Sequence, residues 1–261
     1  MTNAKAPRTK VESIVGEDPK LLGPTVMERM ATGKALRESV PRTSHAQWVR
    51  PTDRADPIEL LKKADRGRLP ELLPIRYGRM RQSSFAFFRG AGALMAADLA
   101  VTPKTGIRVQ ACGDCHVSNF GGFGSPERRL VFDINDFDET LHAPWEWDVK
   151  RLATSIVLAG RQVSSREGHC ADVRVAIESY REHIREYARM RALEVWYSHL
   201  DAEIFIEEAK TTTEKKRWQR VEDKAKLQTA EHVFPRVIEV VKGWPRIIDN
   251  PPLVYLSLIH I

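Results

Sequence analysis

The sequence predicts an α+β chain, mostly helical, with a short β-hairpin ahead of a long helical half. Three observations carry that expectation. Apolar residues return at helical spacing in several stretches, as with Ile177, Tyr180, Ile184 and Tyr187 at intervals of three, four and three. Two short strings, Gly106-Ile107-Arg108-Val109-Gln110 and Leu130-Val131-Phe132-Asp133-Ile134, read as strands. Between them lies a glycine-rich run, Gly121, Gly122 and Gly124, which reads as the turn of a hairpin.

In chain order, residues 1–45 are rich in Lys, Arg, Thr and Pro, with an apolar patch only around Leu21, Leu22 and Val26. A flexible basic arm is expected there, with a short helix near Val26 to Leu36. Residues 46–261 form the globular region. Asp56 followed by Pro57 supplies an acidic N-cap and a proline at the first helical position, so a helix should begin there. Pro70 and Pro74 bound the next short segment. Ser84 to Ala100 reads as a core helix, with Phe85, Phe88, Leu94, Met95 and Leu99 near helical spacing and small residues admitting a close neighbour. Beyond Trp145 the chain turns helical: Asp148 to Arg161, Ala171 to about Leu193, and a charged stretch from Glu203 to Lys226.

Composition narrows the class. At 261 residues the chain suits one large or two small domains, and 42% hydrophobic with 29% charged residues is ordinary for a soluble protein. No stretch approaches the ~18 apolar residues of a membrane span, and the polar N-terminus lacks the apolar core of a secretory signal. A cytoplasmic location follows as the expectation, with no membrane partner. Lys and Arg number 41 against 35 Asp and Glu, for a net charge of +6. They interleave with acids, as in Arg181-Glu182-His183-Ile184-Arg185-Glu186, the pattern of a solvated helix face and not of a nucleic-acid footprint. Three cysteines, Cys112, Cys115 and Cys170, make an odd count that argues against a disulfide scaffold.

The chemistry is concentrated in Gly113-Asp114-Cys115-His116-Val117-Ser118-Asn119 and Asn135-Asp136-Phe137-Asp138. Phosphoryl transfer needs a carboxylate to receive or orient the acceptor hydroxyl, and oxygen ligands for the Mg²⁺ on the phosphates. Asp114 and Asn119 stand at Asp-x-x-x-x-Asn spacing after a predicted strand, and Asp136 follows the returning strand of the hairpin. That spacing alone is common by chance; order and context give it weight.

In that order, strand, Gly-Asp-x-His-x-x-Asn, hairpin, Asp-Phe-Asp and then Trp147-Asp148-Val149-Lys150-Arg151-Leu152-Ala153, the sequence resembles the aminoglycoside phosphotransferase and choline kinase branch of the kinase-like fold. Residues from about Val40 to Gly160 look more closely like the bacterial domain-of-unknown-function family 2252. The strings Pro74-Ile75-Arg76-Tyr77-Gly78-Arg79-Met80, Phe87-Phe88-Arg89-Gly90 and Asn135-Asp136-Phe137-Asp138-Glu139-Thr140 carry that likeness. The resemblance implies that residues 46–261 are a kinase-like catalytic-lobe region, an incomplete domain. It implies Asp114 as catalytic base, His116 orienting its loop, and Asn119 and Asp136 as Mg²⁺ ligands, with Asp138 or Asp133 competing for the second place. Asp148 would hydrogen-bond the catalytic-loop backbone; its plainer reading is a helix N-cap. ATP and Mg²⁺ would be the cofactors and a small-molecule hydroxyl the acceptor.

Two departures stand out. Cys112 takes the place of His two positions before Asp114. Nothing N-terminal to Asp114 looks like a Gly-rich phosphate loop or its Lys; Arg76, Arg79 and Arg89 are candidate phosphate ligands, each with an equally plain structural or exposed reading. In the family such a loop and Lys would follow the catalytic loop, a permuted order. The apolar ending Pro251-Pro252-Leu253-Val254-Tyr255-Leu256-Ser257-Leu258-Ile259-His260-Ile261 predicts a truncated chain whose last residues are not native sequence. Such a chain would hold the catalytic half of a site without its nucleotide cradle.

Other readings compete. Cys112-Gly113-Asp114-Cys115-His116 spells the attachment signature of a c-type haem, and the cysteines with His116 suggest a redox or zinc site, with His142 and Cys170 as candidates for the missing ligand. The plain alternative is a pair of small buried residues around a loop. A binding or regulatory protein that keeps the fold without catalysis is the third class.

Overall fold

A computed structural model of the chain describes residues 24–249, apart from 126, 128, 164, 202, 228–234 and 236. The expectation for the C-terminal apolar run lies outside the described residues, as does most of the arm. The chain divides into two compact units, residues 1–47 and 48–261.

In the first unit, helix α1 spans Val26–Ser39. It starts where Thr25 and Glu28 cap each other reciprocally: the Glu28 amide donates to Thr25 Oγ1 at 3.3 Å and the Thr25 amide to Glu28 Oε2 at 2.7 Å.

The second unit is α+β and mostly helical, with short antiparallel strand pairs. Helix α2 (Pro57–Ala64) begins as the sequence predicts, with Asp56 Oδ1 accepting from the amides of Ile58 and Glu59 and Pro57 at the first turn. Helix α3 covers Leu73–Met80, and Leu61, Met80 and Ala91 bury together with Tyr77 and Leu94 packed on them.

The predicted helix over 84–100 is two helices, α4 (Ser84–Gly90) and α5 (Gly92–Ala100), broken at Ala91. The carbonyls at the end of α4 are taken by arginines from elsewhere. Arg76 Nη2 donates to Gly90 O at 2.5 Å and Arg151 Nη2 to Phe88 O at 3.0 Å. Phe88 O also accepts from the Ala91 amide at 3.2 Å, so the end of α4 is closed by one backbone bond and two guanidinium groups.

Strand β1 (Arg108–Ala111) pairs antiparallel with β4 (Leu141–Pro144), from Arg108 opposite Pro144 to Ala111 opposite Leu141. Strands β2 (Phe120–Gly124) and β3 (Leu130–Ile134) form the hairpin, and β5 (Leu200–Asp201) extends it beside β3. The glycine run is therefore strand and not turn. The turn is closed further on, where the Ser125 amide donates to Arg129 O at 2.8 Å. Gly121 in β2 leaves room for the Asn135 side chain, since a Cβ there would stand 2.6 Å from Nδ2.

Helix α6 (Trp145–Gly160) follows β4 directly, capped by Pro144, so Asp148 lies within its first turn and is not its N-cap. Helix α7 (Arg166–Tyr187) packs against α6. It starts earlier than the sequence suggests, at a Ser165 cap, and ends at Tyr187; Leu193 belongs to the separate short α8 (Ala192–Trp196). The charged stretch is likewise divided, into α9 (Ile204–Glu207) and α10 (Thr212–Lys226), the latter opened by a Thr211–Glu214 capping box. Phe132 meets Phe205 edge to face and Phe205 stacks on Trp218, which binds α9 and α10 to the hairpin. The sequence reading missed β4, β5 and the ribbon β6 (Ile238–Val241) with β7 (Trp244–Ile247).

Gly160 sets how closely α6 and α7 approach, since a Cβ on it would lie 2.4 Å from His169 Cβ. Gly160→Ala is expected to lower stability by about 1–3 kcal/mol through overpacking, read as the midpoint of urea unfolding; an unchanged midpoint would show that the helices yield freely.

Candidate functional site

The two ladders bring the candidate residues together. Beta strand β1 leads into residues 112–119, and its pairing with β4 sets that loop beside Glu139 and Thr140. Helix α6 starts at the far end of the same ladder, where the Trp145 amide donates to Ile107 O at 3.3 Å, and runs back past the loop. The hairpin register continues in the Asn135 amide, which donates to Asn119 O at 2.9 Å and so brings the Asp136 backbone next to Asn119.

Helix α6 turns Asp148, Arg151 and Ser155 to the loop, at intervals of three and four along one face. Asp148 accepts from the amides of Cys112 at 2.7 Å and Gly113 at 3.2 Å. Arg151 donates through Nε at 2.7 Å to Asp114 Oδ1, and through Nη2 to the same oxygen. Ser155 Oγ accepts from the Val117 amide at 3.1 Å. The loop must bend sharply here: Gly113 has φ of +87°, and a Cβ would stand 2.0 Å from Glu139 O.

Asp114 is held at each of its oxygens. His116 Nε2 lies 3.3 Å from Oδ2, Arg151 binds Oδ1, and Asn119 Nδ2 donates to the main-chain carbonyl at 2.7 Å. His116 and Arg151 are 2% exposed and Asn119 5%. Burial alone would raise the Asp114 carboxyl; the His116 hydrogen bond and the Arg151 charge outweigh it and hold it below the ordinary carboxylate range. His116 turns Nε2 to the carboxylate, and its buried Nδ1 finds no partner among the described residues. Asn119 spends its amide nitrogen on a carbonyl, so Oδ1 is the side-chain atom it could offer a cation.

Asp136 is exposed, its Oδ1 accepting from the Asp138 amide at 3.3 Å, and Asp138 is exposed beside it. Asp133 is also exposed and bonds the next residue's amide at 2.7 Å. Glu139, to which sequence reasoning gave no role, is exposed as a residue but turns its carboxyl back to Gly92, where a Cβ would be 3.0 Å from Oε2. Desolvation of that carboxyl and the nearby Asp114 charge push its pKa up.

Arg76 and Arg89 are not gathered to Asp114. Arg76 reaches Asp65 at 3.5 Å, Gly90 O at 2.5 Å and Met80 Sδ at 3.3 Å, which makes it a strut between α3 and α4. The Arg89 guanidinium is exposed, with no hydrogen bond or ion pair among the described residues. Arg151 and Ser155 were missed, although their places three and seven residues after Asp148 put them on its helix face.

Among the described residues no group of three or more His, Cys, Asp or Glu side chains could hold a metal ion. Mg²⁺ tolerates that condition, because it keeps several waters and takes one or two protein oxygens with the rest from phosphates. The zinc and haem readings of the cysteines do not fit. Cys112, Cys115 and His116 form no such group, and the two cysteines are buried free thiols, Cys112 Sγ donating to Asp136 O at 3.5 Å. Burial foremost, then the Asp148 charge, raises both, Cys115 to about 12. No helix of the described residues is long and apolar enough to cross a membrane.

Cys112 and Cys115 should therefore resist an aromatic disulfide reagent at neutral pH while exposed Cys170 reacts, one fast thiol in the native chain against three after denaturation. Fast labelling of either buried thiol would contradict the arrangement. Gly113→Ala is expected to cost at least about 2 kcal/mol, from a strained φ and a backbone clash. Gly106→Ala, at φ of +86° with open space around it, is expected to cost only the ~1 kcal/mol of the conformation itself. Equal shifts in the two unfolding midpoints would argue against the tight approach of Glu139.

No curated protein and no solved structure matches the chain. A family model described as an uncharacterized protein conserved in bacteria, DUF2252, matches residues 68–257. That span begins after the arm and α2, covers every residue of the Asp114 loop and its α6 clamp, and runs well past the region where the sequence likeness was noted. The chain is a member of the bacterial DUF2252 family.

Proposed function

We propose that this chain carries the acceptor-activating and metal-binding residues of an ATP- and Mg²⁺-dependent phosphotransferase site acting on a small-molecule hydroxyl. The observation that supports it is the hold on Asp114: its carbonyl bonded to the Asn119 amide, its carboxylate fixed from both sides, and its loop backbone bonded to a buried-facing Asp148. A kinase-type loop needs such rigidity, because most of its catalysis is positioning and charge neutralisation.

In this reading the acceptor hydroxyl approaches Asp114, whose carboxylate orients it and receives its proton. Asn119 Oδ1 and the Asp136 carboxylate would hold Mg²⁺, with Asp138 as the alternative to Asp136. When bound, Mg²⁺ neutralises charge developing on the transferred phosphoryl group. His116 keeps the Asp114 carboxylate in place, and Asp148 keeps the loop.

A second reading, a nucleotide-binding or regulatory protein without turnover, is favoured by one observation. Both Asp114 oxygens already have partners and its carboxyl is held low, which makes it a weak base. Calorimetric titration of the chain with ATP, with and without Mg²⁺, separates the two together with a phosphate-release assay. Mg²⁺-dependent binding with turnover is expected for the phosphotransferase, and binding alone for the regulatory protein. Asp114→Asn, which keeps the shape beside Arg151, is expected to lower turnover by about 10²-fold or more with ATP affinity retained. Undiminished turnover would remove Asp114 from the mechanism, and absence of ATP binding would overturn both readings.

A further inference from the structure

We propose that Arg151 is the positioning residue for Asp114, and that it aims Asp114 Oδ2 at the acceptor; the inference rests on the phosphotransferase reading above. Arg151 is 2% exposed, in the middle of α6. A guanidinium withdrawn from water to that extent needs its donors satisfied. Its partners come from three other segments. Nε and Nη2 converge on Asp114 Oδ1, Nη2 also donates to Phe88 O at 3.0 Å, and Nη1 lies 3.5 Å from Met95 Sδ. The Phe88 ring stacks over the group, 4.2 Å from its centroid to the guanidinium carbon.

The asymmetry of this contact is informative. An arginine that only neutralised Asp114 would do so best by forking across both carboxylate oxygens. Here both donors meet one oxygen. Oδ1 is thereby saturated and turned inward, while Oδ2 carries only the 3.3 Å contact to His116. Oδ2 is thereby the oxygen that keeps acceptor capacity for an incoming hydroxyl. The carboxylate is held by a group that is itself held, since Arg151 is buried against Phe88 O, Met95 Sδ and the Phe88 ring. Lysine would keep the charge but lose the two-pronged grip on Oδ1, the bond to α4 and the planar stack.

A strut joining α4 to α6 would explain the burial equally well, so the test must read more than stability. The probe is Mg-ATP with water as acceptor, on the full chain and on Arg151→Lys and Arg151→Ala. Arg151→Lys is expected to remain folded by circular dichroism and to keep its KM for Mg-ATP while kcat falls about tenfold or more from the misplaced carboxylate. Guanidinium added to Arg151→Ala is expected to restore part of the lost kcat, and to do nothing for Asp114→Asn. Unchanged kcat in folded Arg151→Lys would overturn the inference and leave the phosphotransferase reading standing. So would losses in Arg151→Ala that follow its unfolding and do not respond to guanidinium. A wild-type chain that turns over no ATP removes the phosphotransferase reading, and the inference with it.

Discussion

The ion pair between Asp114 and Arg151 is the constraint on which the centre of this molecule depends. One partner is half-buried on a bent loop and the other is deep in a helix. Separating them would leave a guanidinium in the interior without its counter-charge, at a cost of about 3–5 kcal/mol for pairs of this kind. The loop can therefore take up its bend only when α6 is in place, and α6 is placed by the ladder that joins β1 to β4. Asp148 and Ser155, on either side of Arg151 along the helix, hold the same loop by its amides. Three consecutive points of attachment on one helix face leave the loop little freedom.

That dependence explains the glycines and cysteines around it. Gly113 is the residue where the chain turns between the two Asp148 contacts and the carboxylate, at a φ only glycine adopts cheaply and against the Glu139 carbonyl. Cys112 and Cys115 flank the turn with small side chains that fit under it. Their spacing and the following histidine spell a haem or metal signature, but the fold gives each member other work. The thiols are buried and His116 faces Asp114.

Much of this was legible in the sequence where the signal is local. The start of α2 could be read because Asp56 and Pro57 are neighbours, and the Asp114–Asn119 pair because its loop is short and bounded by strands. The failures have a common origin. The break at Ala91 is made by Arg76 and Arg151 capturing carbonyls of α4 from far along the chain, and no window around residue 91 contains that information. Glycine usually marks a turn, so the glycine run reads as one; here it is strand, with the Asn135 side chain lying over Gly121. Arg76 and Arg89 were grouped with the site on residue type, and only tertiary packing showed Arg76 to be a strut.

By itself the sequence determined the class of the fold and the position of the loop that carries Asp114, since these follow from periodicity and from short-range spacing. Tertiary structure decided what each residue there faces. It turned Asp148 from a possible helix cap into the acceptor for two loop amides, assigned His116 to a carboxylate, and brought Arg151 from the next helix to fix Asp114. The bonds that Asp148 and Arg151 of α6 make to the loop and to α4 join residues 35 to 63 positions apart. Such partners become neighbours only after the strands have paired and the helix has packed.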